Sequence, residues 1–288
     1  MLFKKGEKKE EKVKEPQYYL SPTNMQTLNY KVYYMSKKEK VLYFFLAFVV
    51  GAIVGYLFYG GIGKDQYGNP TTITYILDIS ISCVVGIVAG IAFLKIRTEQ
   101  IINKRIAQLK TQFRDMLESL NTSLGAGKNV VDSFHAVRDD MKVQYDTAFI
   151  IDELDVILDG MNNNIDIEDL LYDFGERSGL DDIKSFANVF KISYRKGGNI
   201  KDVIRSTHEI LTDKMEIAED IETVITASKN EQNIMIVMPV VLLAMLKFTG
   251  GGFGDNFATP AGIASTTVAI VMFVAAYFIG KTIMKIKV

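Results

Sequence analysis

Four stretches of this 288-residue chain are almost purely apolar, and the rest is strongly charged. They are VLYFFLAFVVGAIVGYLFYGGIG (41–63), ITYILDISISCVVGIVAGIAFL (73–94), NIMIVMPVVLLAMLKFTG (233–250) and AGIASTTVAIVMFVAAYFIG (261–280). Crossing a bilayer core takes about 20 helical residues. The first, second and fourth reach that length, and the third is shorter. Inside hydrocarbon every backbone N–H and C=O must bond within its own segment, so such spans form helices. The pattern predicts an all-α membrane protein with two transmembrane hairpins, 41–94 and 233–288, flanking a water-facing helical bundle, 95–232. Residues 1–40 read as a tail, partly disordered at MLFKKGEKKEEKVKEP, with ten lysines and five glutamates.

Lysine and arginine near the span ends set the orientation. The tail is basic, and Lys95, Arg97, Lys104 and Arg105 follow the second span. The chain ends in KTIMKIKV, whereas the link GGFGDNFATP carries no basic residue. Both termini and 95–232 are therefore expected in the cytoplasm, with both short links outside. Asp78 and Lys247 fall near the outer ends of their spans, within snorkelling reach of water. Pro239 is expected to kink the third span. Gly51-x-x-x-Gly55 and Gly86-x-x-x-Gly90 give spans one and two small faces for close packing, with no indication of the partner helix. The lone Cys83 reads as a small membrane-buried side chain.

Region 95–232 has no proline and many i, i+3, i+4 apolar sets, so it reads as all helical. Ile102, Ile106, Leu109, Phe113, Met116 and Leu120 form a narrow seam on a helix that continues out of span two. A long last helix, about 200–229, repeats the idea with Val203, Thr207, Ile210, Lys214 flanked by Leu211, then Ile217, Ile221 and Val224. The stretch SLGAGKNVVDSFH suggests a phosphate loop but fails the pattern. Thr122 stands where the first glycine is needed, and Asn129 where the hydroxyl is needed. Its residues instead match a helix corner used three times. Gly125 and Gly127 precede Asn129 and Asp132; Asn162-Asn163-Asn164 precede Asp166 and Asp169; Gly197 and Gly198 precede Asn199 and Asp202. In each, a turn is followed by an Asn or Asp suited to cap free backbone N–H groups, then by an acid in the first turn. Glycine supplies the angles that end the preceding helix.

Residues 113–240 resemble the F-domain family of type II secretion and type IV pilus machines, most closely the TadB-like branch of the Tad (Flp) pilus assembly system. The resemblance rests on FRDMLESLNTSLGAGKNVVDSF, FGERSGLDD, KGGNIKDVI and KNEQNIMIVMP, and on their order before a closing apolar hairpin. Phe174 to Gly179 is similar to the family's Gly-Glu-x-Ser-Gly corner, and Gly197-Gly198-Asn199 to its second glycine corner. This chain carries one F domain where other members carry two. The resemblance implies a polytopic platform in the cell membrane, a homo- or hetero-oligomer pairing with a sibling F-domain membrane protein. It implies engagement by a hexameric cytoplasmic assembly ATPase, service to pilins, and no chemistry by the chain itself.

No residue set argues for catalysis, a cofactor or a metal. His135 and His208 stand on helices without a ligand pattern, and DGMNNNIDIEDLL breaks the calcium-loop spacing because Gly160 directly follows Asp159. A sensor kinase using His135 lacks an ATP-binding domain. A membrane-tethered helical-repeat adaptor draws on the corner spacings of 37 and 33 residues. A transporter would draw on Asp78 and Lys247. Region 95–232 holds 26 acidic and 18 basic residues, which speaks against nucleic acid as a ligand. Asp152, Glu153, Asp155 and Glu176 form a candidate acidic patch for the ATPase, and the glycine corners are the other candidate surface.

Overall fold

The computed structural model describes residues 15–21, 23–63, 69–248 and 256–283. Two strands open it, β1 (Tyr18–Leu20) and β2 (Gln26–Leu28). Among the described residues the helices that follow are α1 (Lys37–Tyr59), α2 (Thr72–Gly125), α3 (Val130–Gln144), α4 (Phe149–Asn162), α5 (Ile167–Ser178), α6 (Asp181–Arg195), α7 (Ile200–Phe248) and α8 (Pro260–Ile283). The chain divides into two compact units, Met1–Tyr34 with Gln100–Leu211, and Met35–Glu99 with Thr212–Val288.

Among the described residues, three helices are long and apolar enough to cross a membrane: α1, the first part of α2, and α8. The apolar end of α7, 233–248, has 16 residues among those described. That is a rise of roughly 24 Å, short of a hydrocarbon core of about 30 Å. The last two residues of the expected third stretch, 249–250, lie outside the described residues, as do 64–68 and 251–255 of the short links and 284–288.

Glycines set the approach of α1 to α2. A Cβ on Gly51 would stand 2.6 Å from the Ala89 methyl, and one on Gly86 2.8 Å from the Phe48 carbonyl oxygen. A Cβ on Gly90 would meet the Phe44 ring at 2.6 Å. The two small-residue faces thus pair with each other, which their spacing alone left open. Tyr43 and Phe93 meet across the same hairpin, ring centroids 6.3 Å apart. Asp78 and Lys247 both serve backbone ends. The Asp78 carboxylate accepts from Gly61 N–H at 2.9 Å, and Lys247 Nζ donates to the Gly60 carbonyl at 3.0 Å. Lys247 thereby satisfies a carbonyl at the C-terminus of α1, where carbonyls have no intrahelical partner. Helix α7 runs through Pro239 without interruption.

The first unit is a bundle of α3 to α6 with the adjoining parts of α2 and α7. Leu109, Phe113, Met116 and Leu120 of the expected α2 seam are fully buried. Phe113 sits at the centre, edge-on to Phe174 and Phe186 at 6.2 and 5.5 Å. Helices α5 and α6 run antiparallel across the tight Ser178–Asp181 turn, and a Cβ on Gly175 would stand 3.0 Å from Lys184 Cα. The seam expected on α7 differs. Ile204 and Leu211 are buried, but Ile210, Ile217 and Val224 are exposed. Val203, Thr207 and Ile221 are half-buried, so the core-facing stripe lies one residue round from the expected one over the first turns.

Within the tail, 1–14 lies outside the described residues and 15–34 is part of this unit. Strands β1 and β2 pair antiparallel, Tyr18 opposite Leu28 and Leu20 opposite Gln26. Asn29 ties the base of this hairpin by donating to the Pro16 carbonyl at 3.2 Å and to Glu15 at 3.1 Å. The next residue, Tyr30, is 1% exposed.

Replacing Gly86 by Val should force Phe48 and its backbone away and cost about 1–3 kcal/mol. Thermal unfolding of the detergent-solubilised full chain, followed by helical circular dichroism, measures it. A melting temperature equal to wild type would show that this contact does not hold the hairpin.

Candidate docking surface and the buried ion pair

The three corners share one backbone design. A left-handed residue stands two positions before the next helix's cap: Gly127 (φ 87), Asn164 (φ 60) and Gly197 (φ 68). In each, the following N–H reaches five residues back to a helix carbonyl: Lys128 to Ser123 at 3.4 Å, Ile165 to Gly160 at 3.0 Å, Gly198 to Ser193 at 2.7 Å. That is the Schellman closure, which satisfies carbonyls the helix leaves free. Gly197, and not Gly198, needs the positive angle. Gly198 is held to glycine by room, since a Cβ there would lie 3.2 Å from the Ser193 carbonyl oxygen. Gly125 is the last residue of α2 and has no positive φ.

Asn129 and Asn199 cap through their side chains, accepting from Asp132 N–H at 2.8 Å and Asp202 N–H at 3.4 Å. Asp166 occupies the cap position of α5 but makes no side-chain cap bond. Asp169 pairs instead with Lys191 at 2.9 Å.

The fold brings the three corners to one end of the bundle. The Lys201 amine lies 3.7 Å from where a Cβ on Gly125 would stand. Arg195, two residues before Gly197, bonds Glu168 at 2.7 Å and lies 3.9 Å from Asp166. The surface there is exposed and mixed in charge, with Lys128, Asp132, Asp166, Lys201 and Asp202 all outward.

The candidate acidic patch lies at the other end, by the first turn of α4 and the last turn of α5, and it is not one patch. Glu153 is 2% exposed and offers no charge to a partner. Asp155 is bonded by Arg138 at 2.7 Å and approached by Lys142 at 3.7 Å. Glu176 pairs with Lys184 at 2.6 Å, which holds its carboxyl below the usual range. Asp152 alone of the four is exposed with no ion pair among the described residues. Partial burial and neighbouring Asp155 push its carboxyl up.

Glu153 is held by Arg177. The guanidinium donates from Nη1 and Nη2 to the two carboxylate oxygens at 2.9 and 2.8 Å. Its Nε donates to Asp173 at 2.7 Å, and Nη1 also donates to the Leu28 carbonyl at 3.1 Å. Tyr30 completes the group, its hydroxyl donating to Glu153 at 2.9 Å and its N–H to the Arg177 carbonyl at 3.1 Å. Burial pushes the Tyr30 phenol far up, and burial likewise raises the Glu153 carboxyl against the pull of Arg177. Burial alone would weaken the Arg177 charge, but Glu153 and Asp173 outweigh it and hold the charge firmly.

Every residue of Gly175 to Gly179 therefore has a structural task. Gly175 lets α6 approach, Glu176 bonds Lys184, and Arg177 carries the ion pair. Ser178 Oγ donates to the Gly175 carbonyl at 2.8 Å and accepts from Leu180 N–H at 3.1 Å, and Gly179 turns at φ 72. Sequence reasoning missed Tyr30 and the role of Arg177. The pairing spans 123 residues from Tyr30 to Glu153, and no local pattern encodes it.

Exposed His135 and half-buried His208 gain no acidic or thiol cluster, and no group of three metal-binding side chains forms among the described residues. No protein-family model matches the chain, and no curated protein or solved structure matches it.

Alanine at Gly127 or Gly197 should each cost about 1 kcal/mol, because a Cβ disfavours the left-handed angle, while Gly125→Ala should cost nothing. Denaturant unfolding of the three variants separates these outcomes. Arg177→Met should cost about 3–5 kcal/mol at neutral pH, since it leaves Glu153 buried and ionised without its partner. A carboxyl whose folded pKa lies above its unfolded one destabilises the fold as pH rises between the two. Part of the Arg177→Met loss should therefore return as pH is lowered towards about 4.3, where unfolded glutamate protonates. A pH-independent loss would show that packing, and not the stranded charge, causes it.

Proposed function

We propose that the chain is a multi-pass platform protein of the inner or plasma membrane in a type IV-like (Tad/Flp) pilus or type II secretion machine. It couples a hexameric cytoplasmic assembly ATPase to pilin assembly and does no chemistry of its own. Four spans leave both termini and 95–232 in the cytoplasm. The supporting observation is the convergence of three equivalent corners on one end of a helical bundle, in a chain whose apolar stretches bracket that bundle. The motifs FGERSGLDD and KGGNIKDVI, which carry the resemblance to F domains, supply the turns of this bundle.

The corner end is the ATPase-facing surface on this reading. Three of the four carboxylates at the opposite end are spent on Arg177, Arg138 and Lys184. A sibling F-domain protein and the pilins complete the assembly.

Crosslinking in native membranes, followed by identification of captured proteins, tests the function. An assembly ATPase, a second F-domain protein and small pilins are expected, and their joint absence would overturn it. Lys128→Glu with Lys201→Glu should cut ATPase recovery severalfold, while Asp152→Lys should leave it unchanged. The reverse result would move the contact to the other end. The repeated corner also suits a membrane-tethered helical-repeat adaptor. Capture of a soluble peptide ligand with no ATPase would favour that reading.

A further inference from the structure

The start of α1 presents a face that no other described residue covers, with two kinds of chemistry on it. Val41, Leu42 and Phe45 are 69, 63 and 64% exposed, on consecutive turns of one side. Lys37 and Lys38 stand one turn before them on the same side, and the five residues form one open strip along the helix. Glu39, between Lys38 and Val41 in the chain, turns back to accept from Ser36 N–H at 2.9 Å and closes the helix start. On α2, Lys95 and Arg97 lie at the same end of the hairpin, and Arg97 stacks over Tyr43 at 5.3 Å.

We infer that this face of α1 seats one anionic phospholipid, its phosphate on Lys37 and Lys38 and an acyl chain along Val41, Leu42 and Phe45. Charge complementarity selects the occupant. Two ammonium groups above an apolar strip match a negative headgroup above hydrocarbon. A zwitterionic lipid would bring its own cation to the lysines, and a free anion would leave the strip in water. Lysine stems suit this level, because they lie on apolar surface while the charge stays in the headgroup layer. Each lysine near an anionic surface contributes an attraction worth severalfold in affinity. The inference rests on α1 lying in a membrane and is independent of the pilus reading.

The test is native mass spectrometry of the detergent-solubilised full chain, titrated with phosphatidylglycerol or phosphatidylcholine of equal chain length. Wild type should retain phosphatidylglycerol preferentially. Lys37→Gln with Lys38→Gln should weaken its retention roughly tenfold or more. Lys40→Gln with Lys95→Gln removes the same charge from the same end, off the strip, and should weaken retention less than twofold. Phe45→Ser should weaken both lipids while keeping the preference. Equal loss in the two double variants would show a diffuse charge effect and overturn the site. So would equal retention of both lipids by wild type, or displacement of the lipid by soluble glycerol phosphate at matched concentration. A chain that stays monodisperse without detergent would instead remove the membrane placement itself.

Discussion

The bundle depends on an ion pair taken out of water. Arg177 and Glu153 are both almost fully buried, and removing two charges from solvent carries a penalty of several kcal/mol per ion. The structure offsets it by satisfying nearly every polar atom involved. Arg177 uses its fork on Glu153, Asp173 and the Leu28 carbonyl, and Glu153 gains a further bond from Tyr30. Such a pair is not a source of stability compared with well-packed apolar side chains. It acts as a register device, because its bonds tie α4, α5 and the 15–34 segment together through Glu153, Arg177, Leu28 and Tyr30.

That device explains why part of a lysine-rich tail has a fixed place. The hairpin of β1 and β2 has only three residues per strand and a mostly exposed surface, too little to stand alone. Its anchor is Tyr30, which sets its ring edge-on to Phe149 at 5.6 Å and sends its hydroxyl to Glu153. The segment thereby supplies a tyrosine to the core and backbone groups to the ion pair. Loss of Tyr30 would expose both charged side chains to an incomplete shell.

The corners show a different economy. Their residues are exposed, so apolar burial does not fix them. The Schellman closure does, by satisfying helix-end carbonyls locally, with glycine or asparagine accepting the left-handed angle. Local chemistry of this kind is legible from a turn, a cap and an acid three residues on. The count of residues between corners is set by helix lengths, and an up-and-down bundle then puts every second turn at one end. A surface built from three separated sequence segments follows from that topology without any long-range pairing code.

Period and punctuation determined much of this protein before any folding. The apolar runs dictated helices suited to a membrane, the i, i+3, i+4 sets dictated a helical bundle, and the corners marked where helices turn. Local closure also put the positive angle on Gly197 and not Gly198, two residues before the Asn199 cap as at Gly127 and Asn164. Tertiary structure decided the long-range pairings. It decided that the glycine faces of α1 and α2 meet each other. It also decided that Glu153 is a core residue while Asp152 beside it is exposed. A carboxylate reads the same in sequence whether water or a buried guanidinium satisfies it. The difference is made by a partner 24 residues away and a tyrosine 123 residues away, which only packing brings within hydrogen-bonding distance.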